Sequence, residues 1–116
     1  MVPHCLKNFF HLCCHGELYH KPALIVSVSA GLGGNYPIAE LRMNSYKNTK
    51  ICYIPEQIVI RNVEKYFNSS EEAESREKKL RDRLFYVVDV LLAYSNAFSH
   101  IREKGILNRE QYPTGM

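Results

Sequence analysis

The spacing of apolar residues changes character along the chain, and each change predicts an element. In residues 4–15, HCLKNFFHLCCH, the residues Leu6, Phe9, Phe10, Cys13 and Cys14 recur near the helical period, and Gly16 follows where a helix would stop. Next, KPALIVSVSA (residues 21–30) opens with Pro22 and carries an almost unbroken apolar, β-branched run from Ala23 to Val28. Such a run predicts a strand covered on both faces, as in a parallel sheet. Beyond a glycine-rich stretch, Pro37 suits a first helical position, and Ile38, Leu41, Arg42 and Ser45 mark a weakly amphipathic helix of two to three turns. The pattern of KICYIP predicts a second strand, and IVI at 58–60 a further extended piece after a break at Pro55.

The last predicted element is the longest. Ser69 and Glu72 form an S-x-x-E capping box, and Glu71, Glu72 and Glu74 suit the positive end of a helix dipole. Arg102 and Lys104 suit the negative end, just before Gly105. Between these ends Leu80, Leu84, Val87, Val88, Leu91, Leu92, Phe98 and Ile101 trace an apolar stripe. Glu72–Arg76 and Glu74–Lys78 are favourable pairs on the solvated side. Residues 106–116 lack periodicity, so the chain divides into a domain over 1–104 and a mobile tail over 105–116. Strand, helix, strand and a long final helix make an α/β class.

Composition narrows the function classes. A chain of 116 residues supports one domain, and 46% hydrophobic residues with eight tyrosines and five phenylalanines are those of a packed chain. The formal charge of +3 is mild and the basic residues sit beside acidic ones, which points away from nucleic acid. No apolar run approaches the roughly 20 residues of a membrane span, and Met1 is not followed by a secretory leader pattern, so a cytoplasmic setting without membrane contact is expected. Four irregularly spaced cysteines are expected to stay reduced.

Two constellations could carry chemistry. His4, Cys5, His11, Cys13, Cys14, His15 and His20 crowd the first twenty residues, and thiolates with imidazoles suit zinc. Their spacing closes no C-x2-C pair, and Cys13 and Cys14 occupy apolar helix positions, so no metal ligand is assigned. The second is the turn SVSAGLGGNYP, residues 27–37, directly after the buried strand. Open α/β sheets bind ligands beyond the C-terminal ends of their strands, and glycine backbone there could face an anion or the edge of a planar ring. A G-x-G-G spacing is neither a dinucleotide fingerprint nor a phosphate loop, and a tight turn alone also explains it.

LKNFF, then KPALIVSVSAGLGGNYPIAELR, then YIPEQIVI, in this order, resembles the second half of the NADPH-dependent FMN reductase family, over most of residues 3–67. The resemblance implies a flavodoxin-like three-layer parallel sheet, non-covalent FMN, NADPH or NADH as co-substrate, and a dimer or tetramer. It implies that Ser29, Gly31, Gly33 and Gly34 line the flavin with Ala30 and Asn35 close by, and that the cofactor rather than a catalytic side chain carries the hydride chemistry. The family's first strands and its flavin-phosphate loop have no counterpart here, and His4 stands where a glycine is usual. The expectation is therefore an incomplete sheet whose activity alone is open. Two strands cannot cover both faces of the inner one, and exposing several such side chains costs on the order of 10 kcal/mol. Self-association, or a separate chain supplying the missing strands, is expected to cover them. The alternatives are a noncatalytic oligomerisation module derived from the same fold and a metal-binding helix on a half-domain.

Overall fold

The backbone ladder that organises the molecule joins two strands. In the computed structural model, which describes residues 1–13, 15–66 and 71–113 and leaves out the side chains of Tyr46 and Glu72, β1 (Pro22–Val28) pairs in parallel with β2 (Cys52–Ile60). Helix α1 (His4–Leu12) precedes β1, and α2 (Asn35–Asn44) with the one-turn α3 (Tyr46–Thr49) makes the crossover between the strands. A 3-10 turn, Val63–Lys65, leads to α4 (Glu71–Glu103). The chain is thus a mixed α/β protein with a two-stranded parallel sheet and a long C-terminal helix. Cys14 and Ser69 lie outside the described residues, as does the side chain of Glu72, so the expected capping box does too.

β2 runs unbroken through Pro55, contrary to the break expected there. Between the pairs Ala23/Tyr53 and Ile25/Gln57, two steps along β1 are matched by four along β2, a bulge that holds the proline. Arg42 of α2 reaches the bulge: its Nη2 donates to the carbonyls of Ile54 at 2.8 Å and Pro55 at 3.3 Å. A charged donor from the crossover helix thereby satisfies acceptors that the ladder leaves unpaired.

Helices lie on both faces of the sheet because side chains alternate along a strand. Ile25 packs with Val2, Ile38 and Leu41, joined by Leu6 and Phe10 of α1. Ile54, Ile58 and Ile60 pack with Val87, joined by Leu80, Leu84, Val90, Leu91 and Tyr94 of α4. The expected α4 stripe is correct at Leu80, Leu84, Val87 and Leu91. It fails at Val88, Leu92 and Ile101, which are exposed, because a single helix seats only part of its apolar surface on two strands. Contrary to the expectation that no segment approaches a membrane span, one window of α4 has a mean hydropathy of 1.3, so the helix is long and apolar enough to cross a membrane by length and composition alone; 6% of that window is buried.

The expectation of a β1 covered on both faces also fails. Ile25 and Ser27 are buried, yet Val26 is 48% and Val28 57% exposed on the α4 side. α4 crosses both strands, touching Leu24 of β1 and pairing Arg83 with Glu56 of β2, but leaves these two valines uncovered. Residues 106–113 contact the body: Lys50 Nζ donates to the Tyr112 carbonyl at 2.5 Å, and the Tyr19 hydroxyl donates to that of Pro113.

Candidate functional site

Where β1 ends, the chain turns through Ser29–Asn35 into α2, at the end of the sheet where β2 also ends. The Ser29 hydroxyl donates to the Gly31 carbonyl at 2.7 Å, and the Asn62 N–H donates to the same oxygen at 3.2 Å. Ser29 itself is held by β2 and its exit, its N–H on the Ile60 carbonyl at 2.8 Å and its carbonyl on the Val63 N–H at 3.1 Å. Asn62 adopts a left-handed conformation, φ 49°, which asparagine tolerates better than most residues. The turn is therefore clamped to the strand end by backbone and hydroxyl bonds and does not rest on local propensity.

The glycines differ in what they do. Gly34 is buried, and a β-carbon there would lie 2.9 Å from Val59 Cγ1 and 3.2 Å from Ser29 Oγ, so close packing excludes a side chain. Nothing lies within 4 Å of a β-carbon built at Gly31. Ala30, Gly31, Gly33 and Asn35 are exposed and Ser29 is half-buried. The six residues expected to line a flavin therefore share one short turn, with Gly34 buried behind it. Gly34 precedes α2, whose first turn has no side-chain cap and whose Tyr36 N–H donates back to the Gly33 carbonyl at 3.2 Å. Arg61 was not anticipated from the sequence. Its Cγ lies 3.5 Å from the β-carbon position of Gly34, which lays its aliphatic stem against the turn, and only its place directly after β2 hinted at this.

At the opposite ends of the strands sits a basic cluster. The Tyr19 ring has Lys50 Nζ 4.7 Å and the Arg109 guanidinium 5.1 Å from its centroid. His20 and Lys50 are left-handed, φ 53° and 50°, and the His20 N–H donates to the Lys50 carbonyl at 2.9 Å. Arg102 of α4 donates to the His20 carbonyl at 3.0 Å. Gly16, φ 113°, lies against Arg109, so a side chain there would be strained and would meet the guanidinium. A cavity of about 180 Å3 opens between Tyr19, Lys50 and Asn108.

Burial, then the charges of Lys50, Arg109 and Arg102, hold the His20 imidazole below its usual range. The folded state thus favours neutral His20. Its contribution to stability is complete above the ordinary histidine pKa and is lost as pH falls through the depressed folded value. The melting temperature is expected to drop as pH is lowered from 7.5 through the range just below 6.5. His20→Asn, which tolerates the left-handed backbone, should flatten that part of the curve, and an unchanged slope would show that other groups control it.

A larger cavity, about 280 Å3, lies between α1, α2 and α3, lined by Lys7, Phe10, His11, Glu40, Asn44 and Lys47 among others. Here the hydrogen bond from Lys7, 2.5 Å in the ion pair, and a second from the Val2 N–H at 2.8 Å lower the Glu40 pKa. The histidines and cysteines of the N-terminal region do not converge: among the described residues, no three His, Cys, Asp or Glu side chains form a group that could hold a metal. Cys5, Cys13 and Cys52 are free thiols, and burial raises that of Cys52. None of the cavities described here is lined by a residue of the glycine turn.

No protein-family model, curated protein or solved structure matches this chain.

Proposed function

We propose that this chain is the C-terminal half of a flavodoxin-like, NAD(P)H-dependent FMN reductase-type fold, completed by a partner. In this reading Ser29, Ala30, Gly31, Gly33, Gly34 and Asn35 meet the flavin, and the setting is cytoplasmic. The observation that carries the reading is the parallel strand–turn–helix–strand unit, whose glycine turn is clamped between the C-terminal ends of both strands. The turn suits the edge of a planar ring, because Gly31 leaves open space for close approach. It does not supply a phosphate grip, since the contacts described place no cationic group at it.

FMN, when bound, would accept hydride from NAD(P)H and pass electrons to an acceptor such as a quinone or a second flavin. This chain's part is to position the ring edge through turn backbone and to keep the turn rigid through Ser29 and Asn62. Affinity in the chain alone is expected to be weak, with a Kd of roughly 1 mM.

Amide chemical shifts read the site directly. Adding FMN to labelled protein should move Ser29–Asn35 first, and Gly31→Val should abolish those shifts without altering the circular dichroism. Saturation at another surface, or no shift in this turn at millimolar FMN, overturns the reading. A noncatalytic oligomerisation module is the second reading, favoured by the exposed Val26 and Val28 beside an unpaired strand edge.

A further inference from the structure

The basic cluster at the N-terminal ends of the strands surrounds a cavity of about 180 Å3 that no acidic residue lines. Tyr19, His20 and Lys50 form one wall, and Asn108, Arg109 and Tyr112 form the other. Both walls are fixed. His20 and Lys50 keep left-handed backbones joined by the bond from the His20 N–H to the Lys50 carbonyl, a strain that persists only where the surroundings enforce it. Opposite them, the Gln111 N–H donates to Asn108 Oδ1 at 2.9 Å and the Tyr112 N–H to the Asn108 carbonyl at 3.1 Å, which folds this part of the chain into a turn. The Tyr112 carbonyl then accepts from Lys50 Nζ and ties one wall to the other.

The charges here are of one sign. Lys50 and Arg109 both lie over the Tyr19 ring, so they sit within a Debye length of each other at moderate salt. Arg102 adds a third positive charge behind His20. Among the described residues none of these three cations forms an ion pair. Glu17, a carboxylate that the Arg109 charge reaches, accepts instead from the His15 N–H at 3.0 Å. The fold thus gathers like charges without neutralising them, an arrangement that an anion relieves. Donors are also available. The Lys50 ammonium has used one of its three N–H groups on Tyr112, and no described hydrogen bond uses the Arg109 guanidinium.

We propose that this cavity binds a phosphate group, free or as a small monoester, between the Lys50 ammonium and the Arg109 guanidinium. A dianion answers two cations where a single carboxylate does not, and the guanidinium fork suits paired phosphate oxygens. The volume is below that of a site for a drug-sized ligand, which favours a small oxyanion over a flavin ring. Ile106 and Tyr112, 69% and 62% exposed, also line the cavity and can take the apolar part of an ester. The site lies at the opposite strand ends from the glycine turn and does not rest on the flavin reading.

Titration of labelled protein with inorganic phosphate, against sodium chloride of equal ionic strength, tests the site. Amide shifts of Tyr19, His20, Lys50 and Arg109 should saturate with a Kd on the order of 1 mM or below. The charges that act on His20 come from Lys50, Arg109 and Arg102, all positive, so a bound anion should move its ring titration to higher pH while His4, His11 and His100 stay put. Lys50→Gln and Arg109→Gln should each weaken binding at least about 10-fold, the loss of one charge-assisted contact. Lys78→Gln, which removes the same charge from an exposed position at the other end of α4, should leave binding unchanged. If a cluster variant unfolds, the shifts of the unaltered protein still decide. No saturable shift at the four residues by about 20 mM phosphate overturns the proposal, as does an equal loss in Lys78→Gln. Capture by phosphatidate-containing vesicles without any response to inorganic phosphate overturns it as well and assigns the cations to a lipid surface. FMN that moves the cluster and leaves Ser29–Asn35 unmoved keeps this site and removes the flavin reading.

Discussion

Ile54→Ala is expected to destabilise the chain by about 3 to 4 kcal/mol, the largest single effect among the substitutions considered. Ile54 is 2% exposed and stands where the sheet meets α4, against the cluster that includes Ile58, Ile60 and Val87. Truncation removes several buried carbons and leaves a cavity that cannot collapse easily. The neighbouring carbonyl of Ile54 is fixed by Arg42, and α4 is tethered by the Arg83–Glu56 pair. A small domain has only about 5 to 15 kcal/mol of stability in total, so the variant should melt at a much lower temperature. Urea denaturation followed by circular dichroism gives the number. A loss below about 1 kcal/mol would mean that α4 does not seat on β2 in solution. Val26→Ala provides the contrast: at 48% exposure it should have little effect.

Gly34→Val is expected to cost about 2 to 3 kcal/mol, whereas Gly31→Val should stay within about 1 kcal/mol. Neither backbone is left-handed, so conformational freedom does not separate the two. Space does. The Gly34 β-carbon would sit 2.9 Å from a methyl of Val59, a β-branched residue in a strand that cannot swing aside, whereas the Gly31 position is open. Paired denaturation curves test this, and equal losses at both sites would refute the close approach of the turn to β2. The same pair informs function, because Gly31→Val should block a ring edge without disturbing the fold.

Particular residues show where the sequence was readable. The apolar run at 23–28 predicts a strand, and β1 spans Pro22–Val28; the charge pattern before Gly105 predicts a helix end, and α4 stops at Glu103 with Gly105 left-handed at φ 68°. Both signals are local, set by side-chain spacing and by glycine's backbone freedom. Pro55 misled because its strand-breaking effect is compensated by Arg42, a residue of another element. α1 ends at Leu12, short of Gly16, and residues 15–20 form turns that bring Tyr19 beneath Lys50 and Arg109. That meeting joins positions 31 and 90 apart in the chain, and no spacing rule reports it. Arg61 reached the turn in the same way.

The sequence by itself determined β1, the glycine turn and the C-terminal end of α4, because period and turn residues act over a few positions. Tertiary structure decided which apolar residues are covered. A two-stranded sheet offers α4 one seat, so Leu80, Leu84, Val87 and Leu91 are taken in while Val88, Leu92, Val26 and Val28 remain at the surface. Burial depends on what lies opposite a side chain, and that is set by how many strands and helices the fold brings together.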